Sequence, residues 1–216
     1  MWACERTAWR IVSMNNDVGV RVIHGSRVAL RPWHRGDTLA QELWPRYTEP
    51  FSSLWNLPGR LVYDDLGGRS WSAQRYAWAV EDRLRRLIGR ISLRELDPLR
   101  TSARLGISLS QSYVSQGLGT EALELFLDYY FGPLGFERMY LDVAALNRRA
   151  VRCYEQLGFR YLESEWRGAG SDAALRLIDD PRYAEVAPFF KRNRHEVLVE
   201  FYEMDLTRDE WLTRQA

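Results

Sequence analysis

The sequence predicts an α/β (α+β) fold in which a single mixed sheet carries helices on both faces. Three observations lead there. Segments that alternate apolar and polar residues recur at Arg27 to Trp33, Arg75 to Glu81, Arg85 to Leu96 and Ser102 to Leu109. Helix-spaced apolar residues follow in two later segments, with strand-like runs between and after them. The stretch Ser110 to Leu127 (SQSYVSQGLGTEALELFL) passes from a strand end through a glycine turn into a helix.

Taken in order, Arg27 to Trp33 (RVALRPW) is the first strand. Asp37, just after Gly36, is placed to cap a helix reaching Trp44 or Tyr47. Pro50 and Pro58 break the next region; Glu49 to Asn56 has room for one helical turn, and Leu57 to Ser70 reads as loop. The second and third strands form a hairpin that turns at Asp82 and Arg83. Asp97 and Pro98 lead into the fourth strand, Ser102 to Leu109. Pro133 and Gly135 stop the helix after the glycine turn, and Arg138 to Ala144 (RMYLDVA) reads as a buried strand. Asn147 caps a helix to Gln156, with Gly158 as its C-terminal glycine. Phe159 to Ser164 starts another strand, Glu196 to Leu206 is the last, and Asp209 to Leu212 adds a terminal turn. Residues 1–25 have weak periodicity and read as an N-terminal extension, within which Met14 is an alternative start. Residues 26–216 read as one domain with a polar, proline-bearing insertion at 167–193.

Hydrophobic residues are 46% and charged residues 27% of the 216, which suits a globular chain with a substantial core. Thirty basic residues stand against 29 acidic ones, a balance that argues against nucleic acid and against anionic membrane surfaces as partners. Nearly all the positive charge is arginine, Lys191 being the only lysine. Cys4 and Cys153 make no disulfide framework, which fits a cytoplasmic location, and Cys153 reads as a small buried apolar residue. No apolar run is long enough to span a membrane. His24, His34 and His195 share no ligand spacing with each other or with the cysteines, so no metal is expected.

The chemistry concentrates at the glycine turn. Gly117 and Gly119 let backbone approach a ligand closely, and the free N–H groups of the following helical turn, with the dipole behind them, favour an anion. This stretch reads as a pyrophosphate cradle; alone it also fits a plain strand-to-helix turn.

GISLSQSYVSQGLGTEAL (Gly106 to Leu123), the strand ending before Asn147, and NRRAVRCYEQLGF (Asn147 to Phe159) together resemble the GNAT superfamily of N-acetyltransferases. The likeness covers roughly Arg27 to Leu206. Its RPW opening and YEQLGF spacing look most like the branch that includes ribosomal-protein N-terminal acetyltransferases. The resemblance implies a mostly antiparallel sheet whose fourth and fifth strands splay apart, with the pantetheine arm of acetyl-CoA in the gap. Backbone groups around Ser108, Leu109 and Ser110 would pair with that arm. N–H groups of Ser115, Gln116, Gly117, Leu118, Gly119 and Thr120 would hold the pyrophosphate, and Asn147 would bond the pantetheine. The family usually has Arg or Gln where Val114 stands, with Gln116 as the nearby polar substitute. Tyr154 matches the tyrosine whose hydroxyl protonates the departing CoA thiolate.

Many family members place a glutamate base on the fourth strand, yet Ala103 to Gln111 holds no carboxylate. Glu81 and Asp142 are the replacements to consider, acting through a water, with Glu95 and Asp97 poorer candidates. The expected activity is direct transfer of acetyl from acetyl-CoA to a primary amine, either a protein N-terminus or a small molecule. The alternative is a catalytically silent domain that binds acyl-CoA as a sensor or interaction module. Trp33, Trp44, Trp55 and Trp78 read mainly as core, with Trp55 also a candidate for the acceptor pocket. A homodimer is a further expectation the resemblance brings.

Overall fold

The computed structural model describes residues 22–57, 76–97, 99 and 101–215. Most of the N-terminal extension, including Cys4 and Met14, and most of the expected loop at 57–70 lie outside the described residues. Among those described, nine strands form one sheet.

The chain begins with a two-residue strand, β1 (Ile23–His24), paired to β2 (Val28–Pro32) through a turn closed by Gly25 N–H to the Val28 carbonyl. Helix α1 (Arg35–Glu42) follows, then a 3-10 turn (Ser52–Asn56). The hairpin β3 (Tyr76–Asp82) and β4 (Leu87–Arg94) leads to β5 (Ser102–Leu109), a second 3-10 turn (Gln111–Tyr113) and helix α2 (Leu118–Phe131). Then come β6 (Arg138–Ala144), α3 (Arg148–Leu157) and β7 (Arg160–Gly168). Three short 3-10 turns, β8 (Phe190–Arg192), β9 (Val197–Thr207) and α4 (Arg208–Arg214) complete it. The order across the sheet is β1-β2-β3-β4-β5-β6-β9-β7, with β8 also paired to β9. Every pairing is antiparallel except β5 with β6.

Local chemistry explains most boundaries. Asp82 ends the β3–β4 hairpin by accepting the N–H groups of Leu84 and Arg86, so the turn sits one to two residues later than expected. Helix α1 starts two residues before the expected cap: Asp37 lies inside its first turn, where its carboxylate takes the His34 N–H at 2.7 Å. Asn147 does cap α3, its Oδ1 accepting from Ala150 N–H, and Gly158 closes that helix at φ 95°. The insertion at 167–193 is built from the tail of β7, 3-10 turns and β8 rather than an α-helix.

Register divides the sheet into two faces because side chains alternate along each strand. Trp78 pairs with Ile91, and Ile91 with Ile107, placing them on one face, where α2 buries Ala122, Leu123, Phe126 and Leu127 against it. Trp78 and Phe126 rings meet at 4.8 Å. Of the four tryptophans named above, Trp78 alone is fully buried; Trp33, Trp44 and Trp55 are half-buried. The opposite face holds a smaller core of Phe51, Leu54, Ala144 and Phe201 beneath the 3-10 turn at Ser52–Asn56.

The expected splay is present. β5 and β6 pair only at Ser102, Ala103 and Arg104 against Arg138, Met139 and Tyr140, although both strands continue well beyond. Just past the last pair, Asp142 of β6 accepts from Arg94 of β4 and Arg167 of β7 and lies 3.5 Å from Arg104 of β5. Arg104 also reaches Glu95 and Glu203, and Arg167 reaches Glu165 and the Leu57 carbonyl. Burial raises the Asp142 pKa, and the three guanidiniums outweigh it, leaving the carboxyl below the usual aspartate range.

Replacing Asp142 with Ala strands the buried Arg167 guanidinium and is expected to cost about 3 kcal/mol in urea unfolding. The folded-state pKa lies below the unfolded one, so the contribution is full above about pH 4 and is lost as pH falls through the depressed value. The stability gap between Asp142→Asn and the unaltered chain should therefore shrink on acidification.

Candidate active site

Between the end of β5 and the start of α2 the backbone visits the left-handed region at Ser115 (φ 60°) and Gly117 (φ 75°). Alternate left-handed residues curl the chain so that successive N–H groups point to one side. Helix α2 has no side-chain cap, unlike α3 and α4. Among the described residues, none of the N–H groups from Ser115 to Thr120 donates to a protein acceptor; the first bond of the helix is Glu121 N–H to the Gly117 carbonyl. Six consecutive unpaired donors at a helix start form an anion site. Gly119 serves packing: a Cβ there would lie 2.7 Å from Leu109 Cδ1.

The cradle is braced from behind. Glu121, in the first turn of α2, accepts from Ser26 Oγ, from Arg27 N–H at 2.6 Å and from Arg27 Nε at 2.8 Å. Arg27 Nη1 also donates to the Gln116 carbonyl at 2.9 Å, and Arg27 Nη2 would lie 3.1 Å from a Cβ at Gly117. Arg27 thereby neutralises Glu121 and ties it to the Gln116 carbonyl of the loop. Sequence reasoning missed this clamp; the signal was an acidic residue in the first turn of a presumed phosphate-binding helix. Gln116 turns its side-chain amide inward to the Ser112 carbonyl.

On α3, Asn147 is the N-cap and Tyr154 lies in the main core. The Asn147 carbonyl oxygen is used in capping, and its amide hydrogens have no partner among the described residues. Tyr154 is 8% exposed, edge-on to Phe159 at 5.8 Å. Burial, with smaller contributions from Cys153 and Asp142, pushes its phenol well above the ordinary tyrosine range, so it keeps its proton. Cys153 is half-buried, its Sγ 3.3 Å from Thr120 Oγ1, joining α3 to the first turn of α2.

The backbone of β5 has fewer open groups than expected. Ser110 N–H donates to Ile88 of β4, and Ser108 Oγ accepts from Gln41. Because neighbouring backbone groups of a strand point to opposite sides, Leu109 faces the gap. Its carbonyl there accepts the Tyr47 hydroxyl at 2.5 Å; a carbonyl has a second lone pair for another donor.

The acids expected to act as base are committed elsewhere. Glu81 Oε1 accepts from Arg31 Nε at 2.7 Å, and the same guanidinium grips Asp37 with both terminal nitrogens. Asp142 sits in its arginine cage. Glu95 bonds Arg104, and Asp97 closes a turn with Thr101. His34 is exposed beside Arg31 and Asp37. No group of three or more His, Cys, Asp or Glu among the described residues could hold a metal, and none of the described helices is long and apolar enough to cross a membrane.

Known proteins share this architecture. The family model described as an acetyltransferase (GNAT) domain matches residues 27–160. A spermidine N(1)-acetyltransferase of Vibrio cholerae is 31% identical over 111 residues, 51% of this chain and 60% of that protein. One of Escherichia coli K12 is 35% identical over 71 residues, 33% of this chain and 38% of that protein. The chain thus spans less than two thirds of the length of the curated relatives it matches. The crystal structure of the spermidine/spermine N-acetyltransferase SpeG from Vibrio cholerae superposes with a TM-score of 0.56 at 22% identity, covering 88% of this chain and 98% of that one. At that identity the superposition speaks for the fold. With the family model spanning more than half of the sequence across the cradle, the gap and α3, the chain belongs to the GNAT acetyltransferase family.

Proposed function

We propose that this chain is an N-acetyltransferase that moves the acetyl group of acetyl-CoA directly to a primary amine of a small molecule. The observation that carries the donor half is the run of six N–H groups from Ser115 to Thr120, unpaired among the described residues, in the loop and helix start that follow β5, the strand that parts from β6. The acceptor half draws on the spermidine acetyltransferases among the relatives. The ribosomal-protein branch expected from the RPW and YEQLGF motifs gains no support from them.

Acetyl-CoA supplies the acetyl group as an activated thioester. The chain's residues do the rest. The Ser115–Thr120 N–H groups bind the diphosphate, with Arg27 cancelling the Glu121 charge beside it. The free Asn147 amide hydrogens and the gap-facing backbone of Leu109 orient the arm. Tyr154, kept protonated by burial, donates its proton to the leaving sulfur. Cys153 needs no part in direct transfer.

Two measurements test the reading. Thiol release from acetyl-CoA with a panel of small amines should be rapid in the unaltered protein, and Tyr154→Phe should lower kcat by about a hundredfold while leaving CoA binding unchanged. CoA binding without turnover of any amine would instead favour the silent acyl-CoA-binding domain. Arg27→Ala exposes the Glu121 carboxylate to the phosphates and should raise the KM for acetyl-CoA roughly fivefold, equivalent to ~1 kcal/mol, without changing the KM for the amine.

A further inference from the structure

The segment after α1 crosses the opening between β5 and β6. From the last turn of α1, Gln41 Nε2 meets Ser108 Oγ at 3.3 Å; in the segment past the helix the Tyr47 hydroxyl takes the gap-facing Leu109 carbonyl, and Thr48 Oγ1 meets the Gln111 side-chain amide at 2.7 Å. Those contacts fix it to the β5 side. Two residues later Glu49 Oε1 accepts from Arg149 Nη1 at 2.9 Å, and Arg149 lies in the first turn of α3, beside the Asn147 cap. The 3-10 turn at Ser52–Asn56 then packs over β6, with Leu54 and Ala144 in one cluster. The strap is therefore anchored on both sides of the gap, and its one carboxylate stands between them.

Within the strap, two polar atoms are shielded from solvent and have no partner among the described residues: Glu49 Oε2, an acceptor, and Trp55 Nε1, a donor. A buried carboxylate oxygen without a donor is unfavourable until something supplies one. The Tyr47 and Trp55 rings pack edge to face at 5.2 Å, an apolar wall of a size to take a short methylene chain. Arg149 lies 5.4 Å from the Trp55 ring and balances the Glu49 charge while using only one carboxylate oxygen. Burial raises the Glu49 pKa, and the Arg149 hydrogen bond with neighbouring backbone N–H groups outweighs it, so the group stays ionised. A carboxylate of that kind holds a cation and does not remove its proton. The amine that attacks the thioester has to be neutral, so the held cation is a different nitrogen of the same acceptor.

We infer that Glu49 binds an ammonium group of the acceptor through its uncommitted oxygen, so that the acceptor is a diamine or polyamine with one neutral, reacting end. This rests on the acetyl-transfer reading and adds the residue that selects the acceptor. The other acids weighed for this region, Glu81 and Asp142, are occupied by arginine.

The test compares 1,4-diaminobutane with butylamine, which share the reacting end and differ in the second ammonium, in the unaltered protein and in Glu49→Gln. The amide keeps the shape of the side chain and an oxygen for Arg149 but removes the charge. The expected result is a KM for the diamine raised by ~tenfold in Glu49→Gln, with the preference over butylamine lost and the KM for acetyl-CoA unchanged. A merely structural role would raise the KM for both amines alike, and that outcome overturns the inference, as does an unchanged KM for the diamine. If the unaltered protein binds CoA yet releases no thiol with either amine, the acetyl-transfer reading fails and takes this one with it. That result is distinct from an active protein indifferent to the loss of Glu49.

Discussion

The parting of β5 from β6 is the constraint on which the rest of the molecule depends. Two parallel strands that pair for three residues and then diverge leave unpaired backbone in the middle of a sheet, which is unfavourable unless the groups find other partners. Some find them within the chain, as Leu109 does with Tyr47. The rest form a slot that an extended, amide-bearing ligand can enter. The Asp142 cage lies where the two strands begin to part. One carboxylate on β6 gathers arginines from β4, β5 and β7 immediately beyond the last backbone pair. Arginine suits this because its five donors let Arg104 serve Glu95, Glu203 and Asp142 together.

That arrangement has a chemical consequence. Asp142 lies two residues before Ala144 on β6 and so shares the sheet face that packs against Leu54. The three guanidiniums that tie the strands together at this point also hold the Asp142 carboxyl below the usual aspartate range, which withdraws it from proton transfer. Glu81 is bonded to Arg31, which ties β2, β3 and α1 into one unit. Among the described residues, an acid with an oxygen to spare comes from the segment that follows α1, at Glu49, outside any strand.

What could be read from the sequence follows from how far apart the cooperating residues lie. The glycine turn before α2 and the Asn147 cap were legible because each is local: a left-handed glycine, and a side chain reaching three residues on. The sheet was legible because period-two patterns survive in every strand of useful length. β1 has two residues and β8 three, too few to show a period, and both escaped. Asp37 was assigned as a cap because its residue type fits; the same carboxylate does cap the helix, but from inside the first turn. The pairs that tune the site, Arg27 with Glu121 and Glu49 with Arg149, are separated by 94 and 100 residues, and no local pattern announces them.

The Arg27–Glu121 clamp shows how such distant pairs resolve what looks like a contradiction in the local sequence. A glutamate in the first turn of a helix is favoured by the helix dipole, and that same dipole is what attracts a phosphate, so the two compete for one field. Here the glutamate is turned away from the N–H groups of the cradle and saturated by Ser26, Arg27 and the backbone of β2. It anchors the helix to the sheet edge, and the cation that holds it also fixes the Gln116 carbonyl. The dipole is left to the N–H groups of Ser115 to Thr120. In the proposed cradle a cation from just before β2, and not a basic side chain at Val114, balances the acid in the first turn of α2.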